Sequence, residues 1–324
     1  MSLRRSAAGC AALAAVVVLA ACGSSSSGGS STSSAATSGS ASSASAGTSN
    51  PQYSQTLATL YKGDFSQPPS SGPAAVKGKT VWYISCGQLY EACADGAKGF
   101  LAASKVLGWH TTLVDGKADP STASAAIRQA IAAHVDGIAL MSFDCASIKS
   151  ALEEAKKAQM PVVESFSFDC GDPGSPGTPL FAANLKMRGM TLPQFRMEWG
   201  RARADYAIAK TDGKAKVINL AEQSQFTTKA ESEGFEAELK TCSGCQLVDN
   251  VKFTFAEVPN GTFTAKVLAA LRQHPEATVL SVPGDAYFAL GVTQALKQSG
   301  RAGKIMVVGG EGLEIGRASC RERV

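Results

Sequence analysis

From about residue 77 onward, short β-branched and aromatic runs alternate with longer stretches whose apolar residues recur every three or four positions, a pattern that predicts strands and helices in turn. The run 79–85, rich in Val, Trp, Tyr and Ile, reads as a first strand, a helical stretch from about 94 to 107 follows, and 111–115 reads as a second strand. Asp119 and Pro120 supply an N-cap and a first-turn proline for a helix through Ile127 and Ile131, which leads into the apolar strand 137–141. The next helix carries Ile148, Ala151, Leu152, Ala155 and Ala158 on one face, and Pro161 opens a strand through Val163. Turn formers crowd 171–177 and close this series. A helix from about 194 to 209 starts a second series, with strands at 216–221, 246–252, 278–282 and 304–308. Helices at about 227–240, 262–272 and 285–298 lie between them. Such alternation is the signature of a parallel sheet covered on both faces, so the fold class is α/β, twice over. Ahead of it, 53–61 predicts a short helix outside the main body, and Pro68, Pro69 and Pro73 an extended lead-in.

The two ends do not follow this pattern. Residues 1–21 have the parts of an export signal, with Arg4 and Arg5 before an apolar stretch, 11–20, that is too short to span a bilayer. The stretch ends in Leu19-Ala20-Ala21-Cys22, which resembles the lipobox of bacterial lipoproteins, where the new N-terminal cysteine is acylated. The expectation is therefore a chain lipid-anchored to the cell membrane at Cys22 and working outside the cytoplasm. Residues 22–52 are rich in Ser, Gly and Ala and cannot bury enough apolar surface to fold, which makes them a flexible tether. At the other end, 314–324 resembles the conceptual translation of a sequencing adaptor, a non-native tail that would put the end of native sequence near Leu313. About 235 residues remain between the ends, enough for two lobes with separate cores. The formal charge of +4 loses two with Arg4 and Arg5 and one more with the tail's three Arg and two Glu, leaving +1. Nothing electrostatic points to nucleic acid.

Nine cysteines reduce to six once Cys10, Cys22 and Cys320 are set aside with the signal, the anchor and the tail. An even number in an oxidising compartment reads as disulfides. Six allow 15 pairings. Sequence distance favours Cys86 with Cys93 and Cys242 with Cys245, which leaves Cys145 with Cys170. A redox or metal role for Cys242 and Cys245 is the alternative, but redox cysteines usually open a helix, whereas this pair follows one.

The order and spacing of several pieces resemble the type I periplasmic binding proteins, the sugar-receptor group that includes the ribose receptor. Asp115-Gly116-Lys117-Ala118-Asp119-Pro120, Ile127-Arg128-Gln129-Ala130-Ile131 and Val135-Asp136-Gly137-Ile138 are similar to that family's second strand, helix and third strand. Ala158, Pro161-Val162-Val163, Glu233-Gly234-Phe235, residues 285–291 and Val307-Val308-Gly309-Gly310-Glu311-Gly312 continue the likeness, which covers most of 79–312. The lead-in and the cysteines look like an actinobacterial lipoprotein branch. The resemblance implies two doubly wound parallel-sheet lobes, 78–180 and 181–313, joined by three crossing strands and closing by a hinge on a ligand held between them. Residues 53–77 would form the lead-in. The third crossing and the last elements of the first lobe would come after the point where the sequence turns adaptor-like, so the C-terminal part of the fold would be missing and the first lobe incomplete.

The same resemblance implies an extracytoplasmic solute-binding lipoprotein, monomeric, that captures a small polar ligand, most simply a sugar or polyol, and delivers it to the membrane permease of an ABC importer. A ligand-sensing lipoprotein signalling to a membrane receptor or kinase is the alternative. The ligand contacts would come from loops at strand carboxyl ends: Gln88 and Tyr90, Phe143 and Asp144, Phe166 and Ser167, then Thr228 and Lys229, Asp285 and Glu311. Phe166 and Ser167 stand where the sugar receptors often have an Asp-Arg pair, and Lys229 stands in place of an arginine. The departures weaken the case for a simple aldose. No phosphate-binding glycine loop follows a strand, and His110, His134 and His274 have no matching nucleophile, so no enzyme and no cofactor or metal enter the reading.

Overall fold

A computed structural model describes residues 51–62, 70–184, 187 and 189–309. Cys22, the tether up to Asn50, Glu311 and the tail 314–324 lie outside the described residues.

The strands form two parallel sheets. In the first, β1 (Thr80–Ser85), β2 (His110–Asp115), β3 (Gly137–Met141), β4 (Val162–Ser165) and β5 (Ala183–Asn184) lie in the order β2-β1-β3-β4-β5. In the second, β6 (Lys216–Glu222), β7 (Gln246–Phe253), β8 (Val279–Ser281) and β9 (Met306–Val308) lie in the order β7-β6-β8-β9. The two-residue strand β5 ends the first sheet and carries no hydrophobic pattern of its own, so the sequence gives no sign of it.

Helices α1 (Pro51–Lys62), α2 (Glu91–Leu107), α3 (Pro120–Ala132), α4 (Lys149–Lys157), α5 (Leu192–Lys210), α6 (Phe226–Leu239), α7 (Thr262–Gln273) and α8 (Thr293–Gln298) connect or flank these strands. Their ends have local causes. The Asp119 carboxylate accepts the N–H groups of Ser121 and Thr122 at the start of α3, with Pro120 in the first turn. Thr191 and Gln194 form a reciprocal capping box on α5. Gly108 ends α2 in a left-handed conformation, φ 68°. The face of α3 that carries Ala123, Ala126, Ile127 and Ala130 is buried against the first sheet's core, and α4 adds Ala151, Leu152 and Ala155. Each fully buried Ile or Leu side chain contributes roughly 1.5–3 kcal/mol.

The sequence predicts one helix over 285–298, and the structure divides it. Phe288–Val292 is a wider, π-type turn with Gly291 at φ 148°. A side chain at Gly291 would run into Thr264 of α7, so the glycine allows a close approach and the helix breaks there.

Helix α1 precedes the first sheet in sequence yet packs on α5, beside the second sheet. Tyr53 joins the cluster under α5, and Tyr61 meets Tyr206 edge to face with Lys210 over both rings.

Helices α5 and α6 approach closely because each has a glycine at the crossing. A Cβ at Gly200 would meet the backbone of Glu231, and one at Gly234 the backbone of Met197. This places Glu231, 1 % exposed, between Arg196 and Arg203. Arg196 Nη2 donates to Glu231 Oε2 at 2.5 Å, Arg203 Nη1 donates to Glu231 Oε1, and Arg203 Nη2 reaches Ser281 Oγ at 2.5 Å.

Candidate functional site

Both sheets reverse their winding direction at one point. The chain runs from β1 out to β2 and returns to the other side of β1 for β3, and it does the same around β6, with β7 on one side and β8 on the other. In such sheets the helices diverge at the switch point and leave a crevice outside the strand carboxyl ends. The loops at these points follow β1, β3, β6 and β8, and together they enclose a cavity of about 520 Å³. Cys86 and Tyr90 come from the first loop, Ser142 from the second, Gln225 from the third, and Pro283, Gly284 and Tyr287 from the fourth. Phe166 after β4, Arg196 and Trp199 on α5, Thr227 and Thr228 on α6, and Phe255 after β7 complete most of the wall.

Among the described residues, hydrogen bonds and ring contacts join the lobes across this cavity. The Asp144 carboxylate accepts the N–H of Phe168 from its own lobe at 2.9 Å and that of Phe226, the first residue of α6, at 2.7 Å. Gln225 Nε2 donates to the Ser142 carbonyl at 2.6 Å. The rings of Tyr90 and Phe255 lie 5.3 Å apart, and those of Phe168 and Phe226 stack at 6.0 Å. Gln225, the N-cap of α6, makes no side-chain cap of its own. Asp144 satisfies one of the helix's free N–H groups from the opposite lobe and places a carboxylate at the positive end of its dipole.

Two cleft loops are held in unusual backbone conformations. Ser142 and Phe166, each directly after its strand, have φ of 60° and 67°. Side chains are uncommon there, and such residues collect at functional sites. The Ser142 N–H reaches both the Ser165 carbonyl at 3.0 Å and Glu164 Oε1 at 2.8 Å, which holds the turn. The disulfide Cys145–Cys170 joins the segments that follow these two strands, Cys86–Cys93 braces the loop after β1, and Cys242–Cys245 lies at the opposite end of the second sheet, where β7 begins.

Burial governs the electrostatics. It pushes the Asp144 carboxyl up to about 6, against the pull of its two N–H donors, and holds Glu164 well above the usual carboxylate range. Glu222 is raised by burial as well, although Thr228 Oγ1 donates to it at 2.6 Å and the Ser224 N–H at 2.5 Å. Tyr90 is pushed up to about 12 by burial and by the Glu222 charge.

Of the residues expected from the sequence, the cavity wall includes Tyr90, Phe166 and Thr228. Gln88 faces a second, open groove on the far side of the Tyr90–Phe255 contact, where its side chain donates to Ser85 Oγ. Phe143 and Asp144 line a small recess of about 40 Å³ between the two. Ser167 is buried beneath the wall, Lys229 is exposed and lies off the wall, and the Asp285 carboxylate packs against Gly309. Arg196, Trp199, Phe255 and Tyr287 come to the wall without any local motif that marks them. Arg196 and Trp199 lie near the start of a long helix, and Phe255 after an edge strand, so only the tertiary arrangement brings them together. Among the described residues, no group of three or more His, Cys, Asp or Glu side chains is placed to hold a metal ion.

The model of the periplasmic binding protein domain family matches residues 93–323. No curated protein sequence is similar enough to match the chain. Among solved structures, an ABC transporter solute-binding protein from Burkholderia graminis in complex with D-arabinose is 19% identical, with a TM-score of 0.62 over 78% of this chain and 82% of that one. A glucose-galactose binding protein from Geobacillus stearothermophilus is 19% identical, with a TM-score of 0.60 over 76% and 82%. An ABC transporter solute-binding protein from Agrobacterium vitis with bound allitol is 18% identical, with a TM-score of 0.58 over 71% and 75%. At these identities the likeness is one of fold.

Proposed function

The chain belongs to the periplasmic binding protein domain family, and on that footing we propose that it is the extracytoplasmic solute-binding component of an ABC importer, holding a sugar or polyol in the cleft between its lobes. The observation that carries this reading is the cavity of about 520 Å³ at the coincident switch points of both sheets. Its size suits a small molecule, and both lobes contribute walls, so a ligand there favours the closed arrangement over any open one. Binding is non-covalent, and no reaction is part of the proposal. Tyr90, Phe166 and Thr228 touch the ligand in this reading, and Asp144 acts through closure. Gln88, Phe143, Ser167, Lys229, Asp285 and Glu311 remain candidates for contacts made as the lobes move.

In the same reading Cys22 carries the lipid, and the tether that runs from it to the start of α1 at Pro51 keeps the lobes near a permease at a high effective concentration. The family's place is outside the cytoplasm, and the three disulfides suit an oxidising compartment. A thermal-shift screen of the purified chain against pentoses, hexoses, polyols and amino acids tests the proposal. A rise in melting temperature with a sugar or polyol is expected; a rise with another class alone would overturn it.

A further inference from the structure

We propose that the preferred ligand is a sugar bearing an aromatic or similarly apolar aglycone rather than a bare sugar; this rests on the solute-binding reading above and narrows it. The wall is rich in carbon. Tyr90, Phe166, Trp199, Phe255 and Tyr287 bring five aromatic rings to one cavity, and Met141 and Met187 add two thioethers.

Most of the wall's hydrogen-bonding side chains are meanwhile turned toward other protein groups. Gln225 Nε2 goes to the Ser142 carbonyl and Thr228 Oγ1 to Glu222, Asp95 at the margin pairs with Lys98 at 2.8 Å, and Arg196 gives Nη2 to Glu231 while its buried Nε keeps one donor for the sugar. A bare pentose or hexose carries a hydroxyl on nearly every carbon, and each one taken from water without a partner costs free energy. An apolar aglycone has the opposite requirement. It gains from every ring it covers and asks nothing of the committed polar groups.

Trp199 marks the position. Its indole lies with the Arg196 guanidinium 4.8 Å from the ring centroid and Phe195 edge-on at 5.7 Å, so the ring is held in place on α5 and not left to rotate. A held ring costs little entropy when a flat group covers it. Tyr90, Phe255 and Tyr287 form a second aromatic group from both lobes, with Tyr90 5.3 Å from Phe255 and 6.4 Å from Tyr287. The aglycone therefore lies among rings, and the sugar takes the remaining space near Thr227 and Thr228.

Isothermal titration of the purified chain with 4-nitrophenyl glycosides of glucose, galactose and arabinose, the matching free sugars, and 4-nitrophenol alone tests this. At least one 4-nitrophenyl glycoside is expected to bind ten-fold or more tighter than both its parent sugar and 4-nitrophenol. Trp199→Ala should remove most of that advantage and Trp199→Phe should keep it, with Phe255→Leu as a second weakening variant and a thermal melt to show that each is folded. A free sugar that binds as tightly as its glycoside would overturn this inference and leave the proposed function standing. Equal binding of 4-nitrophenol would overturn it as simple apolar adsorption. No binding by any of these sugars or glycosides would overturn this inference, and the thermal-shift screen against the wider panel then decides the proposed function.

Discussion

The Asp144 carboxylate of one lobe accepts the backbone N–H of Phe226, the first residue of a helix in the other, at 2.7 Å. The bond ties closure to the ionisation of one group. Burial raises the Asp144 carboxyl to about 6, above the ordinary value near 3.9, so the folded protein holds this proton more tightly than the unfolded chain does. The stability it contributes is fully present below about pH 4 and is lost as pH rises through about 6. Glu164 and Glu222, also raised by burial, act in the same direction. Asp144→Asn is expected to flatten the fall in stability between pH 4 and 6.5 by up to about 3 kcal/mol, read from urea melts at half-unit steps. Parallel profiles for the two proteins would refute the assignment.

The Cys145–Cys170 bridge closes a loop of 25 residues between the ends of neighbouring strands at the cleft. Chain-entropy reasoning gives it about 3.5 kcal/mol, against about 1.6 kcal/mol for Cys242–Cys245, which spans three residues at the far end of its sheet. Replacing Cys145 and Cys170 by Ala should lower both stability and ligand affinity, because unpinned cleft loops must then be ordered on binding. Replacing Cys242 and Cys245 should lower stability only. Equal affinity losses from the two pairs would argue against loop ordering as the cause.

The alternation of β-rich runs and amphipathic stretches was enough to read two parallel α/β units, because central strands such as β3 and β6 are buried on both faces and helices such as α3 and α4 on one. Local chemistry also made the start of α3 legible, since Asp119 and Pro120 cap it by themselves. Two features escaped that logic. Ala183 and Asn184 pair with β4 only because the chain passes there, and Gly291 breaks a helix because of Thr264 in a different helix. The cavity divides in the same way. Tyr90 and Phe166 lie in loops at strand ends, which topology alone points to, whereas Arg196 and Trp199 reach the wall through the packing of α5 on α6.

That packing depends on Gly200 and Gly234. Gly234→Ala adds one methyl group directly against the backbone at Met197, which cannot move as the end of a flexible side chain could. The two helices must separate, and overpacking of this kind costs about 1–3 kcal/mol or more. The expected result is a lower denaturation midpoint with an unchanged m-value. Gly99→Ala, on α2 with open space around it, is the control and should be neutral or slightly stabilising. Two variants of equal stability would mean that α5 and α6 are not held as closely as this crossing requires.

Glu231 connects that crossing to the cavity. Its side chain is 1% exposed and answers two arginines that are themselves 7% and 6% exposed, so removing it takes the shared carboxylate from two buried cations. Breaking a buried pair in this way costs about 3–5 kcal/mol, far more than the pair contributes relative to an apolar replacement of all its members. Glu231→Gln should therefore be strongly destabilised. Adding Arg203→Met to it should recover part of the loss, because one of the two cations that shared the carboxylate is gone, although Ser281 then loses its donor. Arg196 keeps its position through Glu231 and holds the Trp199 ring of the cavity wall at 4.8 Å, so ligand affinity should stay low in the rescued double variant even as its melt recovers. Measuring both quantities on the same samples separates the roles. If affinity returned together with stability, Glu231 would serve the packing of α5 on α6 and not the placement of Arg196.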